Sequence, residues 1–237
     1  VSDPELSIVV PAYNEELRLP RTLERLQAFL RTFPRSSEIV VVDDGSTDGT
    51  VAVAEAAGVR VERYGENRGK GFAVRRGMLA ARGEVRLMTD ADLSTPIEEL
   101  PRLMGKLGEG YDVVIGSRAL PGASIEVRQS AFREGTGRVF NTLVQWIVVR
   151  GLQDTQCGFK LFTKAAAVES FSAARLDGFC FDVEVLFIAT RRGYRIAEVP
   201  VVWRNDAATR VSALRGGLAF LDILRIRWNA VRGLYAP

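Results

Sequence analysis

The sequence predicts an α/β fold, a mostly parallel sheet with helices on both faces, and three observations carry that prediction. Five short apolar runs, 6–11, 38–42, 59–64, 85–89 and 112–116, alternate with segments long enough to be helices. Polar or charged residues follow four of these runs: Glu15; Asp43 and Asp44; Asp90 and Asp92; Arg118. Parallel crossovers are right-handed, so the strand C-termini share one edge. Open α/β sheets bind their ligands at that edge, which makes these six residues candidates for one site.

Taken in order, Leu6-Ser7-Ile8-Val9-Val10-Pro11 reads as a buried strand ended by Pro11. Leu17, Leu23, Leu26, Leu30 and Phe33 then recur near helical spacing. The strand at 38–42 delivers Asp43 and Asp44, and Gly45-Ser46-Thr47-Asp48-Gly49-Thr50 is a turn able to cap a helix at 51–57. Residues 59–64 alternate as a third strand. Asn67-Arg68-Gly69-Lys70-Gly71 opens a helix reaching about Arg82. Its glycines match neither a dinucleotide fingerprint nor a Walker loop. A loop with Gly and Lys leading into a helix can attract a phosphate, although simple helix initiation accounts for it as well.

The fourth strand, 85–89, leads into Asp90-Ala91-Asp92-Leu93-Ser94. Two aspartates one residue apart at a strand end can place a hard divalent cation between protein and a diphosphate. An ordinary turn is the plainer alternative. A helix at 97–107 and the strand 112–116, leading to Ser117-Arg118, complete the first half. In the second half, 120–134 reads as a polar loop carrying Arg128 and Arg133, and 137–149 as a helix. Asp154-Thr155-Gln156-Cys157-Gly158-Phe159-Lys160-Leu161-Phe162 runs into Thr163 and a helix, and Phe181-Asp182-Val183-Glu184 opens another. Residues 194–203 alternate as a strand, 204–212 form a polar loop, and 214–234 form a last helix mixing arginines with Leu218, Leu221, Leu224 and Trp228. No linker, repeat or low-complexity stretch divides the 237 residues, which therefore read as one domain, 1–237. Within it, about 1–118 forms a nucleotide-sided half and about 119–237 an opposite half.

Composition narrows the chemistry. Hydrophobic content of 47% and charged content of 26% are those of an ordinary globular protein. Only Lys70, Lys106, Lys160 and Lys164 are lysines among 32 cationic residues. Arginine suits bidentate phosphate recognition, and a genome-wide compositional bias explains the excess equally well. With no histidine, Ser-His-Asp and Cys-His nucleophiles and His-ligated zinc are excluded. Cys157 and Cys180 form no metal motif and read as two ordinary thiols of a reducing compartment. No signal peptide and no apolar run near 18 residues is present. The net charge of +3 is too mild, and recognition modules too absent, for a nucleic-acid partner.

The segments Ile8-Val9-Val10-Pro11-Ala12-Tyr13-Asn14-Glu15, Val42-Asp43-Asp44-Gly45-Ser46-Thr47-Asp48-Gly49-Thr50, Asn67-x-Gly69-Lys70-Gly71 and Asp90-Ala91-Asp92 resemble a family 2 glycosyltransferase of the Rossmann-like GT-A fold. Gly116-Ser117-Arg118, Asp154 to Lys160 and Phe181 to Glu184 are similar to the branch that glycosylates polyprenyl phosphates, above all the dolichyl-phosphate glucosyltransferases. That resemblance implies an inverting hexosyltransferase with Pro11, Tyr13, Glu15, Asp43, Lys70, Asp90, Ala91 and Asp92 at the nucleotide-sugar donor. Asp90 and Asp92 would hold Mg²⁺ or Mn²⁺. Ser94 stands where family members can carry Gln. Catalytic roles fall to Asp90, Asp92, Arg118 and Asp154, and Arg118, Arg128, Arg133 and Arg210 would receive the acceptor phosphate.

A polyprenyl phosphate is anionic and serves as its own nucleophile, so no strong base is required. Asp154 and Asp182 remain possible bases for a hydroxyl acceptor, with a turn and a helix cap as their plainer roles. The implied reaction moves glucose from UDP-glucose to a polyprenyl or dolichyl phosphate. GDP-mannose as donor, a soluble acceptor, and a silent nucleotide-sugar-binding protein are the alternatives. The expected location is cytoplasmic, with a peripheral contact at the cytoplasmic membrane face if the last helix lies on lipid; core packing is the preferred reading of that helix.

Overall fold

A computed structural model describes residues 3–125, 148–149, 151–204 and 213–236, with side chains in the last segment from Leu221 onward. One seven-stranded sheet runs through them. Its strands are β1 (Leu6–Ala12), β2 (Ser37–Asp43), β3 (Arg60–Arg63), β4 (Val85–Met88), β5 (Val113–Ser117), β7 (Lys160–Thr163) and β8 (Ile196–Pro200). Their order across the sheet is β3-β2-β1-β4-β7-β5-β8. All neighbours are parallel except β7, which is antiparallel to both β4 and β5. Each crossing of β7 reverses direction twice, so β5 still points the same way as β4. The common ligand edge expected from the sequence therefore survives the reversal.

The period-2 alternation of the strands sorts their side chains to two cores. Val9, Val40, Val42, Met88, Val113 and Phe162 face one layer. That layer is built from helices α3 (Lys70–Ala80), α5 (Lys164–Ala173), α6 (Phe181–Arg191) and α7 (Ala213–Val231). Ile8, Val10, Ile39, Val41, Leu87 and Val114 face the other. There α1 (Leu19–Leu30) and α4 (Leu100–Gly108) present Leu19, Leu23, Leu26, Leu100 and Leu103, and α2 (Thr50–Ala56) adds Ala54. Helices thus cover both faces, as expected.

The local signals worked where capping chemistry was explicit. Asp48 Oδ1 accepts from the Thr50 N–H at 3.0 Å, closing the predicted turn before α2. Thr163 Oγ1 caps α5 by accepting from Ala166 N. Four expectations need correction. Residues 160–163 form a strand that the sequence reading left inside a run towards α5; four residues are too few to show a period. Residues 124–125, expected in a polar loop, form β6 (Ser124–Ile125), which pairs with β9 (Val202–Trp203). The strand expected over 194–203 is consequently split at Val201 into β8 and β9. The helix expected over 97–107 begins with a 3-10 turn, Ile97–Glu99, before α4.

The last helix packs one side against the core, the reading preferred from the sequence. Ile223 and Ile226 are buried on its inner side, while Leu221, Leu224, Trp228 and Val231 are exposed. Tyr235, just beyond it, donates its hydroxyl to the buried Glu184 of α6 and anchors the C-terminal turn. The expected helix at 137–149 lies outside the described residues apart from its final two, and Arg128, Arg133 and Arg210 lie outside them as well. Both cysteines are buried free thiols.

Candidate active site

The ends of β1, β2, β4 and β5 bring the predicted residues to one edge. After β1 the chain turns through Asn14, whose φ of 55° is left-handed and unusual for a residue other than glycine. The turn is held from β2's loop: Asn14 N donates to Ser46 Oγ at 2.9 Å, and Thr47 N donates to Asn14 Oδ1 at 2.9 Å. Tyr13 is left half exposed beside it, where a planar ring can be covered. Glu15 is bound in a bidentate pair by Arg18, with both contacts at 2.6 Å. Arg18, which the sequence reading missed, therefore fixes the Glu15 carboxylate; its spacing of three residues was the available signal.

Asp43 and Asp44 have separate duties. Asp43 is buried, and both of its carboxylate oxygens accept from the Ser46 N–H, at 3.2 and 3.3 Å. Asp44 accepts from Tyr64 Oη at 2.7 Å, Arg68 N at 2.7 Å and Gly69 N at 3.0 Å. It thereby fastens the loop that carries Lys70. The opposite side of that loop is held by Asp177, whose carbonyl accepts from Gly71 N at 2.8 Å. Gly69 has φ +103°, and a Cβ there would come within 2.6 Å of the Asp177 carbonyl oxygen, so only glycine fits.

At the end of β4, Asp90 and Asp92 occupy a tight turn in which Leu93 takes φ 46°. Such strained backbone persists where surrounding structure over-determines it. Asp92 Oδ1 accepts from Ser94 N at 2.9 Å, so Ser94 steadies Asp92 through its backbone. Burial and the Asp90 charge push the Asp92 carboxyl above the usual carboxylate range, against the Ser94 hydrogen bonds and Lys70. Lys70 Nζ forms an ion pair with the buried Asp90 Oδ1 at 2.6 Å. Two mutually repelling carboxylates at one strand end, with a single lysine against them, fit a divalent cation. Among the described residues no group of three or more acidic, Cys or His side chains could hold a metal ion. Two carboxylates with the remaining positions left to phosphate and water is the arrangement suited to Mg²⁺ and related ions.

Gly158 explains how closely the second half approaches Asp90. A Cβ at 158 would fall 2.0 Å from Asp90 Oδ2. Behind it, buried Lys160 donates to Asp182 Oδ1 at 2.8 Å and to the Cys157 carbonyl. Burial pushes the Asp182 carboxyl up while Lys160 and Lys70 pull it down, leaving it above the usual range. Asp182 thus caps no helix, although it stands in the first turn of α6. The sequence showed Lys160 and Asp182 but not their pairing.

Arg118 leaves β5 and forms a bidentate pair with buried Asp154: Nε–Oδ2 is 2.7 Å and Nη2–Oδ1 is 2.8 Å. The Arg118 backbone N–H also donates to Asp154 Oδ2 at 2.8 Å. Burial opposes the Asp154 charge, but Arg118 outweighs it and holds the carboxyl below the usual range. This suits Asp154 to orienting Arg118 and leaves it little basicity. Burial likewise opposes the Arg118 charge; Asp154 overcomes it, and the more distant Asp90 adds to the effect. Trp203 of β9 lies with its ring 5.5 Å from the guanidinium.

A family model described as Glycosyl transferase family 2 matches residues 7–170, a stretch containing every strand-end acid of this edge. The chain belongs to glycosyl transferase family 2. It is a glycosyltransferase. Among its relatives, the dolichyl-phosphate beta-glucosyltransferase of Dictyostelium discoideum is 35% identical, with 97% of this chain aligned to 76% of that one. The enzyme of the same name from Drosophila melanogaster is 42% identical over 88% of this chain and 69% of its own. In the fold, the family 2 chain resembles glucosyl-3-phosphoglycerate synthase from Mycobacterium tuberculosis, solved with Mn²⁺, UDP-glucose and phosphoglyceric acid. The TM-score is 0.69 at 22% identity, covering 94% of this chain and 79% of that one. The fold is GT-A-like, as the sequence motifs implied.

Proposed function

We propose that this family 2 enzyme transfers glucose from UDP-glucose to a polyprenyl phosphate of the dolichyl type, with inversion at the anomeric carbon. The observation that carries the reading is the pairing of opposite seats on one sheet edge. Asp90 and Asp92 form an anionic seat suited to a cation, and Arg118, within electrostatic reach of Asp90, forms a cationic seat suited to an acceptor phosphate. The names of the relatives, dolichyl-phosphate beta-glucosyltransferases, support this choice of sugar and acceptor.

A divalent cation, Mg²⁺ or Mn²⁺, would be held by Asp90 and Asp92 and would supply Lewis-acid stabilisation of the diphosphate leaving group. The protein's own groups do the rest. Tyr13, Pro11, Glu15 and Asp43 line the β1 and β2 ends, where a carboxylate can accept from the uracil N–H. Lys70 offers an ammonium to the diphosphate. Arg118, preset by Asp154, holds the acceptor phosphate against the repulsion of the donor. An acceptor oxygen then forms the new bond to the anomeric carbon as the carbon–oxygen bond to UDP breaks, and UDP leaves with that electron pair. The acceptor is already ionised near neutral pH, so no proton has to move. Arg128, Arg133 and Arg210 are further candidates for the acceptor side.

Among the described residues, no helix is long and apolar enough to cross a membrane. For a lipid acceptor, α7 offers a face suited to a peripheral membrane contact. Leu221, Leu224, Trp228 and Val231 recur at spacings of three and four on its exposed side, with exposed Arg225, Arg227 and Arg232 around them. The site and this helix are neighbours, since Asp222 faces Gly178 near the Lys70 loop.

The deciding experiment is turnover with radiolabelled UDP-glucose, Mn²⁺ and a short polyprenyl phosphate. Formation of a lipid-soluble, acid-labile glucosyl product is expected. UDP-glucose binding without lipid glucosylation, but with transfer to a soluble phosphate, would overturn the acceptor assignment. Preference for GDP-mannose would overturn the donor.

A further inference from the structure

Asp90 presents the same oxygen to two claimants. Its Oδ1 is buried and ion-paired with the Lys70 ammonium at 2.6 Å. In the proposed function that carboxylate is also a ligand of the divalent cation. Asp92 stands near enough for the two like charges to oppose each other. Without Lys70, the pair would carry two uncompensated negative charges in a partly buried turn.

Lys70 has a second anion within reach. Asp182, 5% exposed, acts electrostatically on the Lys70 ammonium and is itself fixed by Lys160 at 2.8 Å. The backbone under Lys70 is clamped from both sides, by Asp44 at Gly69 N and by the Asp177 carbonyl at Gly71 N. Only the side chain is left free to change partners. A four-carbon stem ending in a point charge with three donors suits that exchange, whereas a planar guanidinium would not.

We propose that Lys70 is the resident counter-ion of the cation seat. It neutralises Asp90 while no divalent cation is bound, yields that oxygen when the cation arrives, and turns to Asp182 and the donor diphosphate. This inference rests on the assignment of Asp90 and Asp92 as cation ligands. It makes cation binding alone weak and cation binding with the nucleotide strong, because Lys70 opposes the first and assists the second. The two events are thereby linked in order at one side chain.

The test is the affinity for Mn²⁺, measured by electron paramagnetic resonance of the free ion, with and without UDP. Lys70→Met is expected to bind Mn²⁺ alone about tenfold more tightly than the wild type, since a competing cation is gone. In the presence of UDP the variant is expected to bind the nucleotide about tenfold more weakly. A merely structural lysine would weaken both, so the sign of the first change decides. Equal or weaker Mn²⁺ binding by folded Lys70→Met, or by Lys70→Gln if the first does not fold, overturns the proposal. In the wild type, the Lys70 ammonium nitrogen signal must also move when Mg²⁺ saturates the site, and a stationary signal overturns it without any variant. Wild-type protein that binds neither Mn²⁺ nor UDP would overturn the transferase reading itself. Normal wild-type binding with an unchanged variant would remove only the counter-ion role.

Discussion

The two sides of the sheet edge handle charge in opposite ways. On the donor side, Asp90 and Asp92 repel each other, and the cation in contact with Asp90 is Lys70, the first residue of α3. On the acceptor side, Arg118 with Asp154 and Lys160 with Asp182 are closed pairs with contacts of 2.7 and 2.8 Å, and three of these four side chains are almost fully buried. The donor side is left electrostatically unfinished and gains its missing charge from what binds there. The acceptor side is finished within the chain, so that one guanidinium edge is presented rigidly. Removing a charge should therefore cost function on one side and stability on the other.

Asp92→Ala should give the largest effect, a loss of about a thousandfold in turnover, because several kcal/mol of leaving-group stabilisation disappear. Its melting temperature should hold or rise, since a buried like-charge repulsion is relieved. A melting temperature several degrees lower would break the comparison. Lys160→Met should do the reverse to stability: an uncompensated buried Asp182 costs about 3–5 kcal/mol, readable by urea unfolding. Stability within about 1 kcal/mol of wild type would show that the acceptor-side pairs are not what holds that half.

Gly158→Ala sharpens the boundary between the sides. The new methyl must displace the Asp90 carboxylate, the movable end of a side chain, rather than backbone. Stability should change by about 1 kcal/mol or less, while Mn²⁺ affinity in the presence of UDP falls about tenfold. Unchanged affinity would mean that Asp90 has room to spare. The smallest effect concerns acid stability. Arg118 holds the folded pKa of Asp154 below its unfolded value of about 3.9. Its contribution is therefore full above that value and is lost as the pH falls through the folded pKa. Asp154→Asn should flatten the decline of melting temperature below about pH 4; a curve parallel to wild type would deny the pair that share.

Reading the chain placed the strand-end acids correctly because each sits within a few residues of the apolar run that delivers it. Val85 to Met88 and the following Asp90-Ala91-Asp92 are one local signal, and so are Val42 and Asp43. What failed had no local signal. Lys160–Thr163 is too short for a period to appear, and its place between β4 and β5 is a choice among partners that sequence spacing does not rank. Arg118 and Asp154 are 36 residues apart, and Lys160 and Asp182 are 22 apart. Nothing in either segment names the other.

The sequence by itself determined the alternation of strands and helices, the single edge to which Glu15, Asp43, Asp90, Asp92 and Arg118 are carried, and the chemistry excluded by a chain without histidine. These follow from periodicity and chain geometry over short distances. Only the tertiary structure decided which charges neutralise one another, that Gly158 rather than any larger residue stands against Asp90, and that Lys70 shares an oxygen with the cation seat. Electrostatic energy depends on separation in space and on burial, and both are fixed only when distant segments have packed together.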